Sequence, residues 1–142
     1  MDSKKFLIGT LAGGIVFFFL GYLVYGVTLA SFFMQHSVAP AGSMKSMNDI
    51  VWWALILGNF ASGALLTYIF LKMGNVNSFG SGARTAFVIG FFLSLSGVLI
   101  QFATENTSDR TATLANMIVQ TLMTTIAGAI IAALLGMGKK PA

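Results

Sequence analysis

Residues Gly14–Leu20 read GIVFFFL, an unbroken apolar run that leaves no polar face on a helix and no polar side on a strand. A strand of a transmembrane barrel alternates apolar and polar positions over about ten residues, so the run excludes that architecture. Only a helix satisfies its own backbone hydrogen bonds within one lipid-exposed segment. The run lies inside a charge-free stretch, Phe6 to Met44, whose apolar part ends near Phe33. Three further charge-free stretches follow at Ile50–Leu71, Thr85–Phe102 and Thr111–Leu135. A hydrocarbon core of about 30 Å takes roughly 20 helical residues, and each stretch is near or above that length. The expected fold is an all-α membrane protein, a four-transmembrane-helix bundle forming one domain over residues 1–142. Its spans are expected at about 6–33, 50–71, 83–102 and 111–135.

Composition agrees with this reading. Of 142 residues, 56% are hydrophobic and 8% charged, whereas a soluble domain carries about 25% charged residues. So few charges cannot solvate a globular surface, which excludes a water-soluble enzyme; so high an apolar content excludes disorder. The net charge of +4 comes from basic residues scattered over short loops. They form no stripe that tracks phosphates, and nucleic acid is not an expected partner. The absence of cysteine rules out disulfides, thiolate metal sites and a thiol nucleophile. A cleavable leader has an apolar core of about 7–15 residues; the first run is far longer and reads as a span.

Lys4, Lys5, Lys72, Arg84, Lys139 and Lys140 fall at the two ends of the chain and in the second loop, against Lys45 and Arg110 in the first and third loops. By the positive-inside rule both termini and the second loop face the cytoplasm. Tyr22, Tyr25, Trp52, Trp53 and Phe102 then fall near the outer interface and Tyr68 near the inner one, as aromatic belts require. Ser46-Met-Asn-Asp49 has the spacing of a capping box for the second span, with Asp in place of Glu or Gln. Gly74 is placed to end that span, and Gly136-Met-Gly138 followed by Pro141 to end the fourth. Gly74–Gly82 (GNVNSFGSG) reads as turn chemistry throughout.

Lipid tails are as apolar as leucine, so spans associate through close packing and a few polar contacts. Strips of small residues recur at four-residue spacing: Gly9-xxx-Gly13, Gly58-xxx-Ser62 beside Gly63, Ala86-xxx-Gly90-xxx-Ser94 and Gly128-xxx-Ala132-xxx-Gly136. They pack helices within one chain or, alternatively, join copies in a homo-oligomer. At 1.5 Å per residue Asn59 lies about 14 Å inside its span, and Gln120 about as deep in the fourth. Asn116, Gln120 and Thr124 share one helix face. Such groups avoid lipid, so Asn59 is expected to approach Gln120 near mid-membrane, with Gln101 closer to the outside. A dry contact there would mean interhelical hydrogen bonding, and a water-filled cavity would mean a polar lining for a solute. No Asp, Glu, Lys, Arg or His lies in the core of a span, so a proton-coupled carrier lacks its titrating group.

The first loop carries Met34, His36, Met44 and Met47. Thioethers and imidazole suit copper, which makes these four a candidate metal site; the plainer reading is interfacial methionines and a solvated histidine. His36 stands alone and the acids sit in loops, so neither a triad nor paired carboxylates can be assembled. No catalyst or cofactor is expected.

Lys4-Lys5-Phe6-Leu7-Ile8-Gly9, the run Gly13 to Gly26 (GGIVFFFLGYLVYG) and Trp52 to Gly63 (WWALILGNFASG) resemble small four-helix inner-membrane proteins of Bacteroidota-type bacteria, a group with no assigned chemistry. A more distant similarity is to a wider bacterial family that pairs Gly with an aromatic and Tyr late in its first span. The resemblance implies a bacterial cytoplasmic membrane and carries over no binding or catalytic residue. The expected role is a non-enzymatic structural or accessory subunit in the lipid bilayer, as a homo-oligomer or in a larger membrane complex. The alternatives are a small-solute or ion channel or carrier with a polar path at Asn59 and Gln120, and external copper binding.

Overall fold

The computed structural model describes residues 2–40, 42–43 and 45–137. Helix α1 (Ser3–Gly21) runs directly into a π-helical segment, Tyr22–Thr28, and then a short α2 (Ala30–Gln35). Three long helices follow: α3 (Trp52–Met73), α4 (Phe79–Thr104) and α5 (Arg110–Gly136). Four stretches, Ser3–Thr28, Trp52–Met73, Phe79–Thr104 and Arg110–Gly136, are long and apolar enough to cross a membrane. Apart from one isolated bridge between Ser37 and Ser108, the described residues contain no β structure. The fold is a four-span helical bundle.

Capping residues set the helix ends and move several of them from their expected positions. Asp2 accepts from the amides of Lys4 and Lys5 at 3.1 and 3.2 Å, so α1 begins at Ser3 rather than near residue 6. The Ser46–Asp49 pair does not open the second span. Ser46 Oγ donates to Asp49 Oδ2 at 2.6 Å and closes a separate 3₁₀ turn, Met47–Asp49. The backbone is extended at Ile50, and α3 starts only at Trp52. Gly74 ends α3 in the left-handed region at φ 72°, where a side chain would be strained, and donates to the Phe70 carbonyl at 3.0 Å. The turn-like segment 74–82 is a loop only as far as Ser78. Ser78 and Ser81 cap each other reciprocally, and Gly80, Ser81 and Gly82 are helical. Asp109 Oδ1 accepts from the Ala112 amide at 2.8 Å and opens α5. Gly138, Lys139, Lys140 and Pro141 lie outside the described residues.

The helices form two antiparallel hairpins, α1 with α3 and α4 with α5, joined mainly where α1 packs on α5. Small residues make each contact. A methyl group on Gly63 would stand 2.6 Å from Gly14 N and 2.8 Å from the Thr10 carbonyl oxygen, and one on Gly9 2.5 Å from Thr67 Cγ2. Gly13 faces Gly63 and Ile131, Gly82 faces Gly128 and Ala132, Gly128 faces Ala86, and Gly90 faces Thr124. Gly58 corrects the sequence reading, because a side chain there meets nothing within 4 Å. Ser62 likewise turns its hydroxyl to the Gly58 carbonyl of its own helix. Gly63, one residue on, is the packing position of α3.

The packing is uneven along the bundle. Leu66, Phe70, Val76, Ala86, Ala127, Ile131, Ala132 and Leu135 form a buried cluster with Phe17 toward the end where α1 begins and α5 finishes. At the opposite end, most of α3 from Trp52 to Gly58 is exposed. Helices α3 and α4 pack on α1 and α5 respectively rather than on each other. Gly63→Val should therefore lower stability by about 1–3 kcal/mol through overpacking. Gly58→Ala should stay within about 0.5 kcal/mol of the parent. Equilibrium unfolding in detergent checks both, and equal effects would contradict the assignment of Gly63 to the contact.

Candidate functional site

Where the hairpins diverge they enclose a cavity of ≈ 680 Å³ with walls from all four spans. Phe17, Phe18, Tyr22 and Tyr25 come from the first, Leu55, Asn59, Ser62, Leu65 and Leu66 from α3, Gly90, Leu93 and Ser94 from α4, and Asn116, Gln120, Met123 and Thr124 from α5. Leu66 and Phe17 also belong to the buried cluster, which thus forms the floor. Lys45, Ile50 and Trp52 stand at the other end. The volume is in the range of small-molecule sites, about 300–1,000 Å³.

The polar groups concentrate on α5. Tyr25 Oη donates to Asn116 Oδ1, and Gln120 Nε2 donates to the same oxygen at 3.3 Å. With Oδ1 accepting both bonds, the Asn116 Nδ2 has no protein acceptor among the described residues. Thr124 Oγ1 turns back to the Gln120 carbonyl at 2.8 Å. On the facing hairpin, Asn59 Nδ2 donates to the Leu55 carbonyl at 2.7 Å. Asn59 and Gln120 therefore face the same space, as their depth in the spans suggests, yet no hydrogen bond joins them among the described residues. Across the α4–α5 contact, Ser94 Oγ and Thr121 Oγ1 share a buried hydrogen bond of 2.9 Å.

Tyr25 owes its position to the π-helical segment. Leu29 N bonds to the Val24 carbonyl five residues back at 2.8 Å, and Thr28 Oγ1 bonds to the Leu23 and Val24 carbonyls at 3.0 and 3.3 Å. Hydroxyl bonding of this kind competes with the helical ladder, and π turns occur frequently at functional sites. Tyr25 is the residue that sequence reasoning missed. An interfacial tyrosine needs no partner, and the one available clue was the Gly26-Val-Thr28 sequence that loosens the helix beside it.

Tyr25 and Asn116 also border a second hollow, ≈ 310 Å³, that includes Ser37, Gln101, Glu105, Thr107 and Ser108. The first and third loops close over it through Val38 N to the Thr107 carbonyl and Asp109 N to the His36 carbonyl, both 3.1 Å. Gln101 lies here, bonded to Glu105 at 3.2 Å, apart from the Asn116 cluster. The Tyr25–Asn116 pair is thus a partition between two spaces. His36 in the loop packs its ring on Phe32 at 4.3 Å between centroids, with Nδ1 2.9 Å from the Phe32 carbonyl. Met34 is 72% exposed. Met44 and the side chain of Met47 lie outside the described residues.

Hydrogen bonds between membrane helices contribute about 0.6 kcal/mol on average. A double-mutant cycle between Tyr25→Phe and Asn116→Ala, read by unfolding in detergent, should give a coupling of that order; strict additivity would mean the pair does not interact. No family model, curated protein or solved structure matches the chain, and the reading of the site rests on its own geometry.

Proposed function

We propose that the protein is a non-catalytic membrane binder or carrier of a small neutral molecule, held in the cavity between the two hairpins. One observation carries this reading: Asn59 and Gln120, from different hairpins, both line a space of ≈ 680 Å³, and no hydrogen bond joins them among the described residues. An accessory subunit would be expected to close that space with packed side chains. The packing strips of Gly9, Gly13, Gly90, Gly128 and Ala132 are occupied by contacts inside the chain, so they support the bundle itself rather than a second copy. Around mid-depth the cavity presents amides and hydroxyls, which exchange hydrogen bonds with a neutral solute. Lys45 is the one charged side chain among the described residues that line it. A bare ion would need stronger compensation for lost hydration than these groups supply.

The setting proposed is a bacterial cytoplasmic membrane with both termini in the cytoplasm. The distribution of Lys and Arg supports the orientation, and the likeness of the first two spans to bacterial inner-membrane proteins supports the location. The cavity then faces the outer half of the bilayer, and the packed cluster closes the cytoplasmic half.

Native mass spectrometry of the protein released from gentle detergent should show a bound molecule of small mass. That mass should be lost from the double variant Asn59→Leu/Gln120→Leu while the helical circular dichroism is kept. A folded double variant that retains the same ligand would overturn the binding reading. For orientation, a carboxyl-terminal fluorescent protein fusion should fluoresce and an alkaline phosphatase fusion should be inactive; the opposite pattern would invert the topology.

A further inference from the structure

Helices α3 and α4 are joined by the short loop 74–78 and yet pack mainly on different partners, α1 and α5. The space between them belongs to the cavity, with Leu55 and Leu65 on one rim and Leu93 on the other, all exposed. These rim residues fall within the membrane-spanning stretches Trp52–Met73 and Phe79–Thr104, at the depth of lipid tails. The far end is shut: Leu66, Phe70 and Ile131 are 2%, 1% and 0% exposed. The α5 wall carries Asn116, whose Nδ2 has no acceptor among the described residues, and the α3 wall carries Asn59, with one amide hydrogen committed to Leu55. From Asn116 to Thr124 the cavity extends about 12 Å along the helix axis, past Met123 and toward Phe17 and Leu66.

We propose that the occupant is a membrane-soluble amphiphile, a neutral carbonyl or ester on a medium-length apolar chain, which enters sideways between α3 and α4. The inference rests on the binding reading above and names its ligand class. The carbonyl accepts from Asn116 Nδ2, with Asn59 as the second donor across the cavity. The chain lies against Leu66, Met123 and Phe17. A lateral opening suits such a molecule because its chain never leaves an apolar medium, and its single acceptor finds donors that lipid does not provide. A water-soluble solute gains nothing from a gap into lipid, and a plain hydrocarbon leaves the amides unpaired.

The natural absence of cysteine gives a direct test. Ser62→Cys places one thiol on the cavity wall, and its alkylation by N-ethylmaleimide in phosphatidylcholine vesicles reports occupancy. A bound competitor slows the reaction by a factor of 1 + [L]/Kd, about threefold at twice its dissociation constant. Methyl decanoate should protect the thiol and decane should not. Protection should be lost in Asn116→Leu or, if that variant does not fold, in Asn59→Leu. Equal protection by decane, or undiminished protection in the folded variants, would overturn the proposal in favour of a plain lipid-filled groove. Protection by propionamide but not by methyl decanoate would overturn the ligand class and leave the binding reading standing. Protection by neither would remove both.

Discussion

Close approach of helix backbones at Gly13, Gly14 and Gly63, and again at Gly82 and Gly128, is the constraint on which the rest of the molecule depends. Lipid gives no hydrophobic reward for pairing helices, so van der Waals contact between closely apposed surfaces has to hold them. Glycine allows that contact, and here the tight contacts fall toward one end of the bundle. Phe70, Ile131, Ala127 and Ala132 fill the space those contacts define, and all are essentially inaccessible. Beyond Gly63 toward the start of α3 the wall residues are Asn59, Leu55 and Trp52, none of which draws α3 against α4. The cavity is the geometric consequence of holding four helices firmly at one end and letting them diverge at the other.

Polar chemistry in the cavity follows from the same economy of partners. In hydrocarbon a hydroxyl or amide must find a neighbour, and most do so on their own helix: Ser62 to Gly58, Thr67 to Gly63, Thr124 to Gln120, Asn59 to Leu55. The Ser94–Thr121 bond and the Tyr25–Asn116–Gln120 group reach across helices, and the latter lies at the cavity. This group joins the first span to α5, and Tyr25 and Asn116 stand between the deep cavity and the hollow beneath the loops. The π-helical winding of Tyr22–Thr28 brings Tyr25 to that position, which ties a local departure from α geometry to the architecture of the site.

Much of this was legible in the residues. Charge-free stretches located four spans, because burying a charge in hydrocarbon is costly enough to be visible in any lipid-facing helix. The i, i+4, i+8 spacing put Asn116, Gln120 and Thr124 on one face, and depth along the helices matched Asn59 with Gln120. Details failed where two local patterns compete. Ser46 and Asp49 have capping-box spacing but close a turn of their own, and Gly80 to Gly82 look like loop yet continue α4 once Ser78 caps it. Gly58 and Gly63 are indistinguishable as small residues until a partner helix is present on one side only.

The sequence by itself determined the solvent, the number of spans and the faces on which small and polar residues sit, because these depend on each segment meeting lipid independently. The tertiary structure alone decided which glycines touch, that Tyr25 pairs with Asn116, and that Asn59 and Gln120 line one cavity without a hydrogen bond between them among the described residues. Those outcomes depend on where two backbones meet and how far apart they stand farther along. That distance is a property of the pair of helices and is carried by neither strand of residues alone.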